Sequence, residues 1–177
     1  MRIISGNFKG RPINPPKNLP VRPTTDKAKE SLFNILMNQI DFEGIKVLDL
    51  FAGTGNISYE FASREAQLIH SVDADFKCTQ FIKQISLELN LPIKVFKSDV
   101  FAFLKTCKTK YDVIFADPPY DLKLLETLPE VIVNQELLEE GGILILEHPA
   151  TYNFSNHQWY YDHRNYSKVN FSFFQRP

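Results

Sequence analysis

The sequence predicts an α/β protein whose strands form one mostly parallel sheet. Three observations carry that reading. Short apolar runs alternate with helical stretches through the middle of the chain, the pattern of βαβ units. The first four runs each end in glycine or aspartate, at the edge where open α/β sheets bind ligands. The last two strand candidates have no long helix between them, so they should form an antiparallel hairpin on the sheet edge.

In order, Arg2–Ser5 and Phe8–Ile13 flank Gly6-Asn7 and read as a β-hairpin. Residues 14–23 hold four prolines and should be extended and irregular. Thr24-Thr25-Asp26 opens a helix, with a hydroxyl cap and an acid for the orphan N–H groups of its first turn. Ala28, Leu32, Ile35, Leu36 and Ile40 share one face of that helix, which leaves the intervening Lys and Glu residues to solvent. A strand at 46–51 then runs into Ala52-Gly-Thr-Gly-Asn56, followed by a helix to about Arg64. A second strand at 68–72 ends in Asp73-Ala74-Asp75, and the next helix, 76–89, turns Phe81, Ile82, Ile85 and Leu89 inward. A third strand at 93–96 leads to Asp99 and a short helix carrying Phe101, Phe103 and Leu104. The fourth strand is 111–116, a helix follows at 122–134, and Gly141-Gly142 marks a turn before a fifth strand at 143–146. The final strands are expected near 157–164 and 168–174, with the helix between strands five and six reduced to a turn in 149–156.

A chain of 177 residues fits one domain, and its 44% hydrophobic and 23% charged content is ordinary for a globular protein. The net charge of −1 conceals an asymmetry. Residues 1–30 hold Arg2, Lys9, Arg11, Lys17, Arg22, Lys27 and Lys29 against only Asp26 and Glu30, and the remainder is acidic. The organisation expected is a basic hairpin arm, 1–23, on a body, 24–177, within a single domain. Such a distribution suggests a polyanionic partner, although a solvated polar tail has the same composition. Cys78 and Cys107 have no metal-ligand spacing and read as reduced thiols of a cytoplasmic protein. No apolar stretch of about eighteen residues is present. The four histidines stand in no motif.

The most informative stretch is Val113-Ile-Phe-Ala-Asp-Pro-Pro-Tyr120. A buried strand stops abruptly at two prolines, which remove two backbone donors and fix two φ angles. It delivers a carboxylate, a stiff bend and an aromatic ring to one point. Asp117 and the Pro118 carbonyl are two acceptors and no donor, suited to an –NH₂ group whose two hydrogens must be held. Tyr120 offers a flat face to a planar substrate. The same residues would also serve as a plain strand-ending turn.

The neighbouring strand ends have similar double readings. Gly53-Thr54-Gly55 lets backbone approach a ligand, or simply makes a strand-to-helix turn; Ser58 occupies the third glycine position of the dinucleotide fingerprint. Asp73, twenty residues on, is placed to accept from two ribose hydroxyls. Asp99 is placed to accept from an adenine amine. Asp73, Asp75 and Asp99 are equally suited to capping the helices that follow.

Taken together these residues resemble the bacterial 16S rRNA guanine-N2 methyltransferases, the RsmD family. The resemblance rests on Arg2-Ile-Ile-Ser-Gly6 with Gly10-Arg11, on Arg22-Pro-Thr-Thr-Asp26 with Lys29-Glu30 and Leu32-Phe33-Asn34, on Asp49-Leu-Phe-Ala-Gly-Thr-Gly55 and on Asp117-Pro-Pro-Tyr120. It implies a seven-stranded Rossmann-like methyltransferase fold with the last strand antiparallel. It also implies S-adenosyl-L-methionine as cofactor and methyl transfer to the exocyclic N2 of one guanine in 16S rRNA, free or in the small ribosomal subunit. Carried over residue by residue, it gives Asp117, Pro118 and Tyr120 as the catalytic group. Asp49, Phe51, Ala52, Gly53, Thr54, Gly55, Asn56, Asp73, Ala74, Asp99 and Val100 become the cofactor-binding set, and Arg2, Lys9, Arg11, Arg22 and Thr24 the RNA-binding set. A monomer without metal or membrane attachment is expected. The chain departs from the pattern at Asp73, where many relatives carry Glu, and its tail after Pro149 matches weakly. Two rivals stand beside this reading. One is a methyltransferase for another amine, adenine N6 or a glutamine side chain, against which the Arg22–Asp26 segment argues. The other is a non-catalytic RNA-binding module, against which the intact Asp117–Tyr120 argues.

Overall fold

The computed structural model describes residues 1–19, 25–166 and 169–177. Its strands are β1 (Lys46–Leu50), β2 (Leu68–Asp73), β3 (Ile93–Lys97), β4 (Tyr111–Ala116), β5 (Leu138–His148), β6 (Tyr160–Tyr166) and β7 (Val169–Gln175). Its α-helices are α1 (Asp26–Leu36), α2 (Asn56–Ser63), α3 (Phe76–Glu88), α4 (Val100–Thr106) and α5 (Leu128–Asn134). The strands form one seven-stranded sheet in the order β3-β2-β1-β4-β5-β7-β6. The pairs among β1–β5 are parallel, and β7 lies antiparallel between β5 and β6. The α/β class, the antiparallel last strand and the edge hairpin all agree with the sequence reading.

Alternation along the central strands sends their side chains into two cores, as expected where a parallel sheet is covered on both faces. Val47, Val113, Phe115, Ile143 and Ile145 pack with Leu32, Phe33 and Leu36 of α1 and with Ile57 and Phe61 of α2. Leu48, Leu50, Ile114, Leu144 and Leu146 pack on the opposite face with Leu104 of α4 and with Leu128 and Ile132 of α5.

Three local expectations are corrected. Gly141-Gly142 does not precede the fifth strand. It lies inside β5, where the register against β4 shifts between Tyr111 and Val113. Gly141 has φ +72°, and a Cβ on Gly142 would stand 2.9 Å from the Glu139 carbonyl oxygen. These glycines therefore form a bulge that bends one long strand. The helix expected from Leu122 is α-helical only from Leu128, after a 3₁₀ turn at Leu125–Thr127. Pro129 explains the late start, because proline is tolerated in a first helical turn and not in an interior. Finally, Lys29 does not face solvent. It is fully buried, and its ammonium donates to the Arg2 carbonyl (2.6 Å) and Asn56 Oδ1 (2.7 Å) and pairs with Glu60 (3.0 Å).

The N-terminal segment lies on α2 and α3. Ile3 and Ile13 are buried against Tyr59, Phe81, Ile82, Ile85 and Leu89. One antiparallel bridge, Arg2 to Pro12, closes the hairpin. Its turn rests on the end of α2: Asn7 N donates to the Ser63 carbonyl (2.7 Å), and Ser63 Oγ donates to the Ser5 carbonyl (2.6 Å). A Cβ on Gly6 would fall 1.8 Å from the Ser63 oxygen, so only glycine allows this approach.

Candidate active site

The β1–β4 and β4–β5 registers bring Leu50, Ala116 and Leu146 side by side. One residue further, β4 delivers Asp117 next to Glu147 of β5. Asp117 lies just beyond the end of β4, close enough to Glu147 for its charge to act on that residue. Asp117 is half-buried, Pro118 is buried, and the Tyr120 ring is 46% exposed. The Tyr120 hydroxyl donates to Glu147 Oε1 at 3.2 Å. Glu147 Oε2 is buried and has no hydrogen-bond partner among the described residues. Burial raises the proton affinity of both acids, and the charge of Asp117 raises that of Glu147 further. Among the described residues no cation pairs with either acid, and two such neighbouring acids hold a proton more tightly than either would alone.

The glycine turn occupies the corresponding edge of β1. Phe51 (φ +59°), Gly53 (φ +55°) and Gly55 (φ +79°) are all left-handed, an unusual conformation for phenylalanine. Asp73 holds this turn in place: Oδ2 accepts from Gly53 N (2.8 Å) and Oδ1 from Asp75 N (2.8 Å). A Cβ on Gly55 would meet the Tyr59 ring at 2.7 Å, so the missing side chain makes room for Tyr59 beneath the turn.

The capping question is settled by the same contacts. Asp75 caps α3 through Cys78 N (2.9 Å) and Asp99 caps α4 through Ala102 N (2.9 Å), whereas Asp73 caps no helix. Asp99 and Ala74 are exposed at the rim, and Ala52 is half-buried. Other members of the cofactor set sit deeper. Asp49 is buried and accepts from Ser58 N (3.1 Å) and Ser58 Oγ (2.5 Å). Val100 belongs to the core, Thr54 Oγ1 donates to Met1 Sδ (3.4 Å), and Asn56 Oδ1 accepts from Lys29. In the RNA set, Arg2 pairs with Asp26 (3.6 Å), Arg11 pairs with Glu88 (2.7 Å), and Lys9 is exposed. Arg22 and Thr24 lie outside the described residues.

Glu147 is the site residue that sequence reasoning missed. The available signal was symmetry: Leu146-Glu147-His148-Pro149 ends an apolar strand in an acid two residues before a proline, much as Ala116-Asp117-Pro118 ends its neighbour.

Two outcomes follow from this geometry. Asp73→Ala should weaken S-adenosylmethionine binding by roughly 1.5–3 kcal/mol for each charge-assisted hydrogen bond lost, and should loosen the Gly53 turn as well. Calorimetric affinity equal to wild type would remove Asp73 from the cofactor set. The second outcome is a pH dependence. Burial pushes Asp49 up to about 7, against roughly 3.9 in an unfolded chain. Between those values the folded protein holds a proton that the unfolded chain has released, so stability should fall as pH rises from about 4 to about 7. Asp117 and Glu147 contribute with the same sign. Asp49→Asn keeps an acceptor for Ser58 N and removes one titration. Thermal melts across this range should therefore show a shallower decline, and an unchanged slope would exclude Asp49 as a source.

The fold is that of the S-adenosylmethionine-dependent methyltransferases, several of whose solved structures align with it. Residues 1–175 match the model of the family described as Conserved hypothetical protein 95. The chain belongs to that family, in agreement with the resemblance read from its motifs. YlbH of Bacillus subtilis is 39% identical over 84% of this chain and 82% of its own. The Escherichia coli protein named Ribosomal RNA small subunit methyltransferase D is 31% identical over 83% of this chain and 74% of its own. Among solved structures, yhhF from Escherichia coli superposes with a TM-score of 0.88 at 25% identity, covering 99% of this chain and 97% of that one.

Proposed function

We propose that this protein methylates the exocyclic N2 amine of one guanine in 16S rRNA, using S-adenosyl-L-methionine. The observation that carries the reading is the pair of neighbouring acids, Asp117 and Glu147, at the β4–β5 edge beside the exposed Tyr120 ring. The name of the Escherichia coli relative supports ribosomal RNA as the substrate class.

The rim suits the cofactor. It bears carboxylates at Asp73, Asp99, Asp117 and Glu147, matching a molecule that carries a sulfonium, an ammonium and a pair of ribose hydroxyls. When bound, that molecule supplies an electrophilic methyl group. Asp73 and the Phe51–Gly55 turn would hold it, and Asp99 would supply an acceptor for its adenine amine. Asp117 and the Pro118 carbonyl accept from the two hydrogens of the guanine amine. Their pull favours a pyramidal nitrogen whose lone pair, otherwise delocalised into the ring, points at the incoming carbon. This is positioning with electrostatic stabilisation. Asp117 is then the nearest acceptor for the proton released on methylation. Tyr120 stacks on the extruded base, worth about 1–3 kcal/mol in comparable contacts.

Direct displacement calls for no metal. The partner in this reading is 16S rRNA or the small ribosomal subunit, met in the cytoplasm by a monomer; among the described residues no helix is long and apolar enough to cross a membrane. In this reading segment 1–23 is the RNA-contacting arm on the 24–177 body, with Arg2, Lys9 and Arg11 as its phosphate contacts and Arg22 and Thr24, outside the described residues, completing the set. The test is methylation of 16S rRNA and of small subunits from cells lacking the protein, followed by nuclease digestion and mass spectrometry. N2-methylguanosine is expected. N6-methyladenosine, or label on protein alone, would overturn the proposal.

A further inference from the structure

The Asp117–Tyr120 segment accounts for a primary amine on a flat ring, and adenine N6 satisfies that description as well as guanine N2 does. Glu147 separates them. It follows Leu146, the register partner of Ala116, and lies close enough to Asp117 for that residue's charge to act on it. One of its oxygens is occupied by the Tyr120 hydroxyl at 3.2 Å. The other is buried without a partner among the described residues, in a side chain only 6% exposed. A buried carboxylate oxygen left bare is costly; without a ligand the acid meets that cost by holding its proton more tightly, and a donor from a ligand meets it in another way.

We infer that Glu147 is a specificity-determining residue that accepts the N1–H of guanine through Oε2 while Asp117 and the Pro118 carbonyl hold the adjacent N2 amine. The inference rests on the guanine reading above and deepens it. Guanine presents two neighbouring donors, N1–H and N2–H₂. Adenine presents a donor at N6 next to an acceptor at N1. A pair of neighbouring carboxylates satisfies the first edge at both points and opposes a lone pair on the second. Bringing two N–H donors to the pair also relieves the repulsion between the acids. The Tyr120 hydroxyl fixes the Glu147 rotamer by holding Oε1, which leaves Oε2 as the oxygen available to the base.

The probe is 2-aminopurine, which keeps the 2-amino group and lacks the N1 hydrogen. It is placed in 16S rRNA at the guanine mapped by the digestion experiment. Wild-type protein should favour guanine over 2-aminopurine by roughly 10- to 150-fold in kcat/KM, the range for a hydrogen bond to a charged group. Glu147→Gln, whose amide can donate to the bare N1 nitrogen, should collapse that ratio toward one or invert it. Glu147→Ala should lower the ratio without inverting it, and serves if the glutamine variant fails to fold. Tyr120→Phe keeps the stacking ring but frees the Glu147 rotamer, so it should lower the ratio part-way while leaving turnover on 2-aminopurine near wild type. A wild-type enzyme that methylates both bases equally, or a folded Glu147 variant with the wild-type ratio, would overturn the inference. Absence of any N2-methylguanosine from wild-type reactions would instead sink the reading on which it rests, so the two failures are distinguishable.

Discussion

Asp117→Ala is expected to lower single-turnover methylation by about 10²–10³, the usual loss when one preorganised polar group at a reacting centre is removed. Cofactor affinity should stay within a few-fold of wild type, because the Asp73–Gly53 contacts of β1 and β2 are untouched. An interaction made chiefly in the transition state lowers kcat and leaves KM nearly unchanged. Stability should move the other way. Removing Asp117 takes away the charge that raises the proton affinity of Glu147, so the variant should be no less stable than wild type at neutral pH. Catalytic loss combined with equal or higher thermal stability is the mark of a site built at the expense of the fold. Near-normal single-turnover methylation would refute the amine-holding role. Catalytic loss accompanied by a large drop in melting temperature would mean that Asp117 supports the strand end instead.

The sheet was legible because its signals are local. Alternating apolar runs, a Thr-Thr-Asp helix start and the missing helix after β5 each report on a few neighbouring residues. Asp117 was legible for the same reason, since Pro118 and Pro119 mark the strand end within four letters. Glu147 was not, because its role depends on the β4–β5 register, which no single stretch encodes. Asp75 and Asp99 read as caps or ligand contacts from sequence alone, and only their bonds to Cys78 N and Ala102 N assign the capping role. Lys29 misled in the opposite direction, and its partner Glu60 went unread. Charged residues in helices ordinarily face water, and nothing local shows that these two meet each other across α1 and α2 or that Glu60 also takes the backbone N–H groups of Ile4 and Ser5.

That meeting bears on the N-terminal segment, and Glu60→Ala is the variant that tests it. Glu60 is fully buried and accepts from Ile4 N (3.0 Å), Ser5 N (3.0 Å), the Lys29 ammonium and the Arg64 guanidinium. Removing it strands a buried ammonium and two backbone donors, which typically costs roughly 3–5 kcal/mol. Glu60→Met combined with Lys29→Met should recover much of that loss, because an apolar pair leaves no buried charge uncompensated. It would not restore the two backbone bonds. The effect should also reach the glycine turn, since Lys29 contacts Asn56, the residue directly after Gly55. Deleting residues 1–18 would remove Ile3 and Ile13 and uncover Tyr59, Phe81, Ile82, Ile85 and Leu89. The truncation should thus lose stability and cofactor affinity together with any RNA affinity, so it cannot isolate the basic residues' contribution. Charge reversal at exposed Lys9 is the cleaner probe of RNA contact. In Glu60→Ala, amide exchange at Ile4 and Ser5 should accelerate before global unfolding, and S-adenosylmethionine affinity should fall with it. Amides as protected as in wild type, with unchanged melting and cofactor affinity, would show that the N-terminal segment is held by its apolar contacts alone.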